Sequence, residues 1–266
     1  MRLTKSRLIK RVKSGLSLLG YYWFKDSITG SDGLFVKKLP NNFYLSLGMN
    51  IHRFYEDCYT CDYYLSLTTC IYSMWGDIPL LSSKRPGELL TDEEIFPSRN
   101  HDIWWSGDDS VDEFLAVVKI TEPRFVTDVK LLNDIKKSKD VNLLCKMSNE
   151  TINKVDGLPD TIYPFILKKE IDDIPKKWFH AAELVLKNYE NDINIHQVKR
   201  LAADAYRQHI LTIAEKNSGS SNRESRSAEE ITGDRRSGDS DLNGIGNGME
   251  VHNLDKNKRN SIIREV

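Results

Sequence analysis

The residues best suited to chemistry are two cysteines, Cys58 and Cys61, which stand three positions apart. Structural zinc requires four ligands, and the nearest further donors, His52 and Cys70, have no recognised spacing. A redox pair belongs at the start of a helix, where the dipole favours the thiolate, whereas this pair is predicted to lie between two strands. Packing or turn roles are therefore favoured over metal or redox roles, and no metal or cofactor is predicted.

The other reactive side chains form no catalytic motif. The sequence has no Gly-x-Ser-x-Gly nucleophile elbow, and no glycine-rich phosphate loop follows a predicted strand. His52 could act as a general base, but a solvated or hydrogen-bonded histidine is favoured. Acidic pairs such as Asp108-Asp109 are interpreted as helix N-termini. The alternative is an enzyme whose site is assembled from separated residues such as His52, Asp108 and Arg85.

The elements that would position these side chains are a helix, a sheet and further helices. Apolar residues from Leu8 to Leu19 recur at helical spacing, and Gly20 is a plausible stop. Alternating apolar residues predict strands over 34–39, 43–52 and 63–75. Later helices are predicted from 111, ended or offset by the proline at 123, and over 125–136, 141–154, 175–189 and 197–215. This order predicts an α+β fold, an antiparallel β-meander with an N-terminal helix and C-terminal helices.

A break in composition near residue 216 divides the chain. All 25 aromatic residues lie at or before Tyr206, and the last 51 residues are polar. The sequence predicts one domain over 1–215, with a sheet unit over 1–135 and a helical extension over 136–215. A disordered tail is predicted over 216–266, because it has too few apolar groups to offset its ordering entropy.

Charge and cysteine usage restrict the partners and the location. The formal net charge of -1 supplies no clustered basic excess, so nucleic acid is not the predicted partner. The uncharged stretch Ser14–Phe24 has 11 residues, and the longest ones, such as Tyr63–Gly76, have 14, whereas a membrane-spanning helix needs about 20. Four cysteines are typical of a reduced compartment. A cytoplasmic protein without a membrane span is predicted.

One face of the predicted sheet combines aromatic and polar side chains. An antiparallel sheet commonly buries one face and leaves the other in water, and a wet aromatic face can bind another protein. Adjacent tryptophans on a strand would point to opposite faces, so one of Trp104 and Trp105 is expected in the core. The predicted partner-binding residues are Tyr44, His52, Tyr64, Tyr72 and Trp105. The predicted function is a non-enzymatic protein-interaction protein; the alternative for this face is that the C-terminal helices cover it.

Four short motifs follow one another over the first 135 residues. They are a basic helix ending in Gly20-Tyr21 and an aromatic pair, the strand Phe43-Tyr44-Leu45-Ser46-Leu47-Gly48, the segment with Arg85, Gly87, Glu88 and Leu89, and the pair Trp104-Trp105. In this order they resemble the bacterial family called domain of unknown function 4304, although Lys37-Lys38-Leu39 replaces its usual Gln-Lys-Ser strand end. The resemblance implies a fold and no established activity. By analogy with small families of this kind, it adds a toxin-neutralising immunity protein as one form of the binding function.

Overall fold

The computed structural model of the protein describes residues 2–25, 30–69, 83–95, 100–156 and 173–231, with side chains described as far as residue 217. The chain divides into two units, Met1–Glu215 and Lys216–Val266, and each is described by itself. From residue 232 onward, the predicted disordered tail lies outside the described residues.

The first unit has the predicted α+β fold, built on an antiparallel meander. Helix α1 (Lys5–Leu18) comes first, and the strands are β1 (Tyr22–Phe24), β2 (Gly33–Lys38), β3 (Tyr44–Ile51), β4 (Cys58–Ser66) and β5 (Trp105–Ser106). Each strand pairs with the next, so the described strands form a five-stranded sheet in the order β1-β2-β3-β4-β5. The later helices are α2 (Val111–Val126), α3 (Val129–Lys137), α4 (Lys139–Val155), α5 (Lys176–Tyr189) and α6 (Ile195–Ile231).

Strand β4 begins five residues earlier than predicted. It starts at Cys58 because Tyr59 and Cys61 already join the same core cluster as Tyr63 and Leu65, at every second position of the strand. The two cysteines therefore lie within a strand, which corrects their predicted position between strands. The later part of the predicted strand, from residue 70 to 75, lies outside the described residues.

Two helix boundaries also differ from those predicted. Pro123 lies inside α2, which continues to Val126. The proline removes one backbone hydrogen bond, and the helix continues for about one further turn after it. The break falls instead at Asp128, whose side chain accepts a hydrogen bond from the backbone N–H of Leu131 and caps α3. The backbone of α6 continues beyond the predicted end at residue 215, because extending a formed helix adds one hydrogen bond per residue.

The first face of the sheet carries the main core. Helix α1 contributes Leu8, Val12 and Leu16 at a spacing of four residues, and α2 contributes Phe114 and Val118. These side chains form one cluster with inward-facing residues of the strands, all of them buried. The strand residues in it include Phe35, Leu45, Leu47, Met49, Tyr59, Tyr63 and Trp105.

The second face of the sheet is also covered at one end, which corrects the prediction that it lies in water. Ile210 and Leu211 of α6 pack with Leu34, Val36 and Tyr44 of the sheet. As a result six consecutive residues of β3, from 44 to 49, are buried on both faces. This agrees with the alternative prediction, in which the C-terminal helices cover the second face of the sheet.

The helical extension has a second core and a polar link to the sheet unit. Helices α4, α5 and α6 pack around the buried ring of Trp178. Asp204 of α6 is fully buried, and one of its carboxylate oxygens accepts hydrogen bonds from the backbone N–H and the hydroxyl of Thr69, both at 2.6 Å. Its other oxygen accepts from Ser148 of α4 and from Gln208 at 2.9 Å. One carboxylate therefore connects the end of the sheet to two helices.

Candidate functional site

A cleft of about 670 Å³ opens beside the turn between β3 and β4. It is lined by residues 2–5, Gly30, Asp32, residues 50–54 and Trp104. We call it the hairpin cleft. The segment at the start of α1, the segment before β2, the end of β3 with the following turn, and the residue before β5 meet here, so four separate parts of the chain form its walls.

The loop of this hairpin, residues 52–57, is held by specific contacts. Nδ1 of His52 accepts hydrogen bonds from the backbone N–H groups of Phe54 at 3.1 Å and Tyr55 at 2.9 Å. At the far end of the loop Asp57 has a left-handed backbone (φ 64°), and its carboxylate lies 2.8 Å from a nitrogen of Arg11. These contacts hold the loop in a conformation that leaves Phe54 exposed to solvent over 87% of the residue's surface.

The half-buried ring of Trp104 supports the cleft from the side. It meets the ring of His52 edge to face at 4.6 Å and lies 5.2 Å from the guanidinium of Arg85. Arg85 is bound in turn by Asp102 and lies 3.4 Å from Asp62. The rings of His52 and Trp104 and the guanidinium of Arg85 therefore pack together to form this wall of the cleft.

One cation and two carboxylates interact behind Trp104. Burial disfavours the charge on Arg85, but the hydrogen bond and attraction of Asp102 outweigh it, so the pKa of Arg85 is raised. Burial raises the pKa of Asp62, and Arg85 offsets part of that effect. Asp62 also accepts a hydrogen bond of 2.6 Å from the amide of Asn50, a residue of the cleft lining. This network supports the wall of the cleft that Trp104 forms.

The rim of the cleft carries an excess of positive charge. Arg2, Lys5 and Arg53 are exposed there, whereas the lining contains one carboxylate, Asp32. That carboxylate is engaged, because it accepts the backbone N–H of Ile51 at 2.7 Å and lies 3.3 Å from the amine of Lys5. Within the described ranges neither Arg2 nor Arg53 has a carboxylate partner.

The structure separates the residues predicted to bind a partner. His52 lies in the hairpin cleft, but Tyr44 is covered by α6 and Trp105 is in the core, with 5% and 2% of their surfaces exposed. Tyr64 is half-buried against the same cluster as Tyr44. Tyr72 lies outside the described residues. Of the two tryptophans it is Trp104 that reaches the cleft, because Trp105 pairs with Tyr59 in the sheet and shares its buried face.

Of the residues of the alternative enzyme site, His52 and Arg85 both contact the ring of Trp104, whereas Asp108 is bound to Arg11. The Nδ1 lone pair of His52 is occupied by two backbone N–H groups, so Nε2 carries the proton of the neutral ring. A general base needs a free lone pair, and His52 is therefore poorly arranged for that role.

The two cysteines are poorly placed for joint chemistry. They stand three residues apart on one strand, so their side chains point to opposite faces. Burial raises the pKa of Cys61 well above its ordinary value, whereas metal binding and thiol exchange use the thiolate. In the part of the chain that the structure describes, no three His, Cys, Asp or Glu side chains are grouped as a metal would require. None of the described helices is both long and apolar enough to span a lipid bilayer.

Sequence reasoning missed Arg53, Phe54 and Trp104 as members of one site. A usable signal was present in the segment His52-Arg53-Phe54-Tyr55, where a cation and three rings follow a strand that ends at Ile51. Loops on a rigid scaffold often carry function. The contact with Trp104 has no comparable signal, because about fifty residues separate it from the loop.

Comparisons of the chain with protein-family models, with curated proteins and with solved structures find no match. The resemblance to domain of unknown function 4304 therefore stays a prediction.

Proposed function

We propose that the first unit is a protein-binding module whose partner docks at the hairpin cleft, with no covalent chemistry. The observation that carries the proposal is the exposure of Phe54, 87% of whose surface is open to solvent on a loop held in one conformation. Burying a phenylalanine side chain that is otherwise in water contributes about 1.5–3 kcal/mol. A partner that covered Phe54 would gain this free energy without having to order the loop.

The residues around Phe54 support the same proposal. Tyr55 is 45% exposed, Trp104 is half-buried at the cleft wall, and Arg2 and Arg53 lie at the rim. Tryptophan, tyrosine and arginine are the residues in which the binding energy of protein interfaces is concentrated. Their convergence at one hairpin favours a protein partner over a small-molecule substrate.

The variant Phe54→Ala tests the proposal. We expect it to lose a stoichiometric partner that the unchanged protein retains from a lysate of its own cells, with an affinity at least about tenfold lower. The matched control is Leu18→Ala, which removes another exposed apolar side chain, 90% exposed, outside the cleft lining. The affinity is measured with the purified partner, and circular dichroism checks that both variants fold.

Equal retention of the partner by Phe54→Ala and by Leu18→Ala would contradict the proposal. So would release of the partner by both variants, since the effect would then not be specific to the cleft. Neutralisation of a toxin is the form of this function that the family analogy suggests, and the retained partner can be assayed for toxicity directly.

We propose a cytoplasmic location from the sparse cysteines alone.

A further inference from the structure

We propose that the hairpin cleft binds an acidic protein segment that also bears an apolar side chain. This inference rests on the proposed function and names the chemistry of the partner. The carboxylates of the segment bind at the rim formed by Arg2, Lys5 and Arg53, and its apolar side chain packs against Phe54.

The charge of the rim carries the first half of the inference. A guanidinium nitrogen of Arg2 lies 3.4 Å from the backbone carbonyl oxygen of Arg53, so the two arginines belong to the same edge of the cleft. Lys5 adds a third cation, with 62% of its side chain exposed. Among the described residues, the only carboxylate of the lining is Asp32, which already binds Lys5 and a backbone N–H. The rim thus has an uncompensated charge that carboxylates match, and arginine binds carboxylates through paired hydrogen bonds.

The position of Phe54 carries the second half. It adjoins Arg53 in sequence and belongs to the cleft lining together with the half-buried Ile51 and Trp104. An apolar side chain placed within one or two residues of a carboxylate can therefore contact Phe54 while the carboxylate binds the rim. A purely acidic segment would leave this aromatic surface in water.

The same charges favour a protein over a nucleic acid. Asp62 and Asp102 lie behind the cleft, and Asp32 lies within it. A continuous phosphate backbone that followed the cleft would meet Asp32, whereas a protein segment can place its charges at the rim alone. Nucleic-acid sites normally present a long basic stripe, and the formal charge of this chain is -1.

The test uses a fluorescein-labelled peptide with three repeats of glutamate-glutamate-phenylalanine. Fluorescence anisotropy measures its binding to the full chain, to Arg53→Glu and to Lys119→Glu. The last is the matched control, an exposed lysine of α2 outside the cleft lining with the same change of charge. We expect Arg53→Glu to weaken binding at least about tenfold and Lys119→Glu less than about twofold. Replacing every glutamate of the peptide by glutamine should weaken binding at least about tenfold as well.

Other outcomes overturn the inference. Equal binding of the glutamine peptide, unchanged binding by Arg53→Glu, or absence of binding at about 1 mM peptide would each do so. Tighter, Arg53-dependent binding of a single-stranded RNA oligonucleotide would assign the cleft to nucleic acid instead. If the cellular partner is lost with Phe54→Ala but kept by Arg53→Glu, the proposed protein-binding function holds, and the inference that the bound segment is acidic is wrong. If neither variant affects that partner, both proposals fail.

Discussion

At the scale of single residues, the buried carboxyl of Asp204 makes stability depend on pH. Burial raises the pKa of this carboxyl, and the hydrogen bonds from Ser148 and Thr69 offset part of the rise. The folded chain therefore holds the proton of Asp204 more tightly than the unfolded chain does. Stability from this group is complete below the pKa of the unfolded chain and is lost as the pH rises through the pKa of the folded chain.

The variant Asp204→Asn tests this sign. Its amide oxygen can still accept both hydrogen bonds of Thr69, but the side chain no longer ionises. We expect the free energy of unfolding of the variant, minus that of the unchanged protein, to grow as the pH rises from about 4 to about 7. Urea unfolding at each pH measures it, with Asp109→Asn as the control for loss of one exposed carboxylate. A difference that stays constant or shrinks with rising pH would contradict the prediction.

At the scale of elements, a tight turn before α2 supports the wall of the cleft. Residues 86–89 form a single helical turn, and a Cβ atom at Gly87 would lie 2.0 Å from the carbonyl oxygen of His101. The absence of a side chain at Gly87 thus allows two backbone segments to touch. Arg85 precedes this turn and Trp104 follows His101 by three residues, so the contact between those two side chains depends on the same close approach.

The variant Gly87→Ala is expected to force the two segments apart. We expect a loss of about 1–3 kcal/mol in the free energy of unfolding and weaker binding of the acidic peptide. Gly107→Ala is the comparison, because no atom of another segment lies within 4 Å of its Cβ position and only its backbone (φ 80°, ψ 172°) opposes the change, at a cost of about 1–3 kcal/mol. Urea unfolding and peptide anisotropy measure both effects. Unchanged peptide binding by a folded Gly87→Ala variant would contradict the dependence of the cleft on this turn.

The sequence was sufficient to predict strands and helices whose apolar residues recur with a clear period. It was insufficient to predict which other elements pack over them. Alternation placed β2 and β3 within about one residue, and helical spacing placed α1. It could not show that α6 covers Tyr44, because Ile210 and Leu211 look like core residues of any helix. The hairpin cleft was missed for the same reason, since contacts between residues distant in sequence leave no local pattern.

At the scale of the whole molecule, the chain combines two cores in its first unit with a polar second unit. The cluster between the sheet and α1–α2 and the cluster around Trp178 account for most of the buried apolar residues. The last 51 residues contain no aromatic side chain and balance nine basic against nine acidic residues. Stability is therefore expected to reside in residues 1–215.

A chain that ends at Glu215 should fold with nearly unchanged stability. The removed residues offer little apolar surface, so we expect the free energy of unfolding to change by less than about 0.5 kcal/mol. Thermal and urea unfolding of the full and shortened chains measure the difference. A loss above about 2 kcal/mol would show that residues after 215 stabilise the first unit.

The bonds that hold residues 52–57 also bear on the kinetics of association. The loop already has its conformation before a partner arrives, because His52 and Arg11 hold its two ends. Encounter then requires no folding step, and association should proceed at the rate that diffusion and charge allow. Changes to the contacts of Phe54 should therefore alter the lifetime of the complex far more than the rate at which it forms.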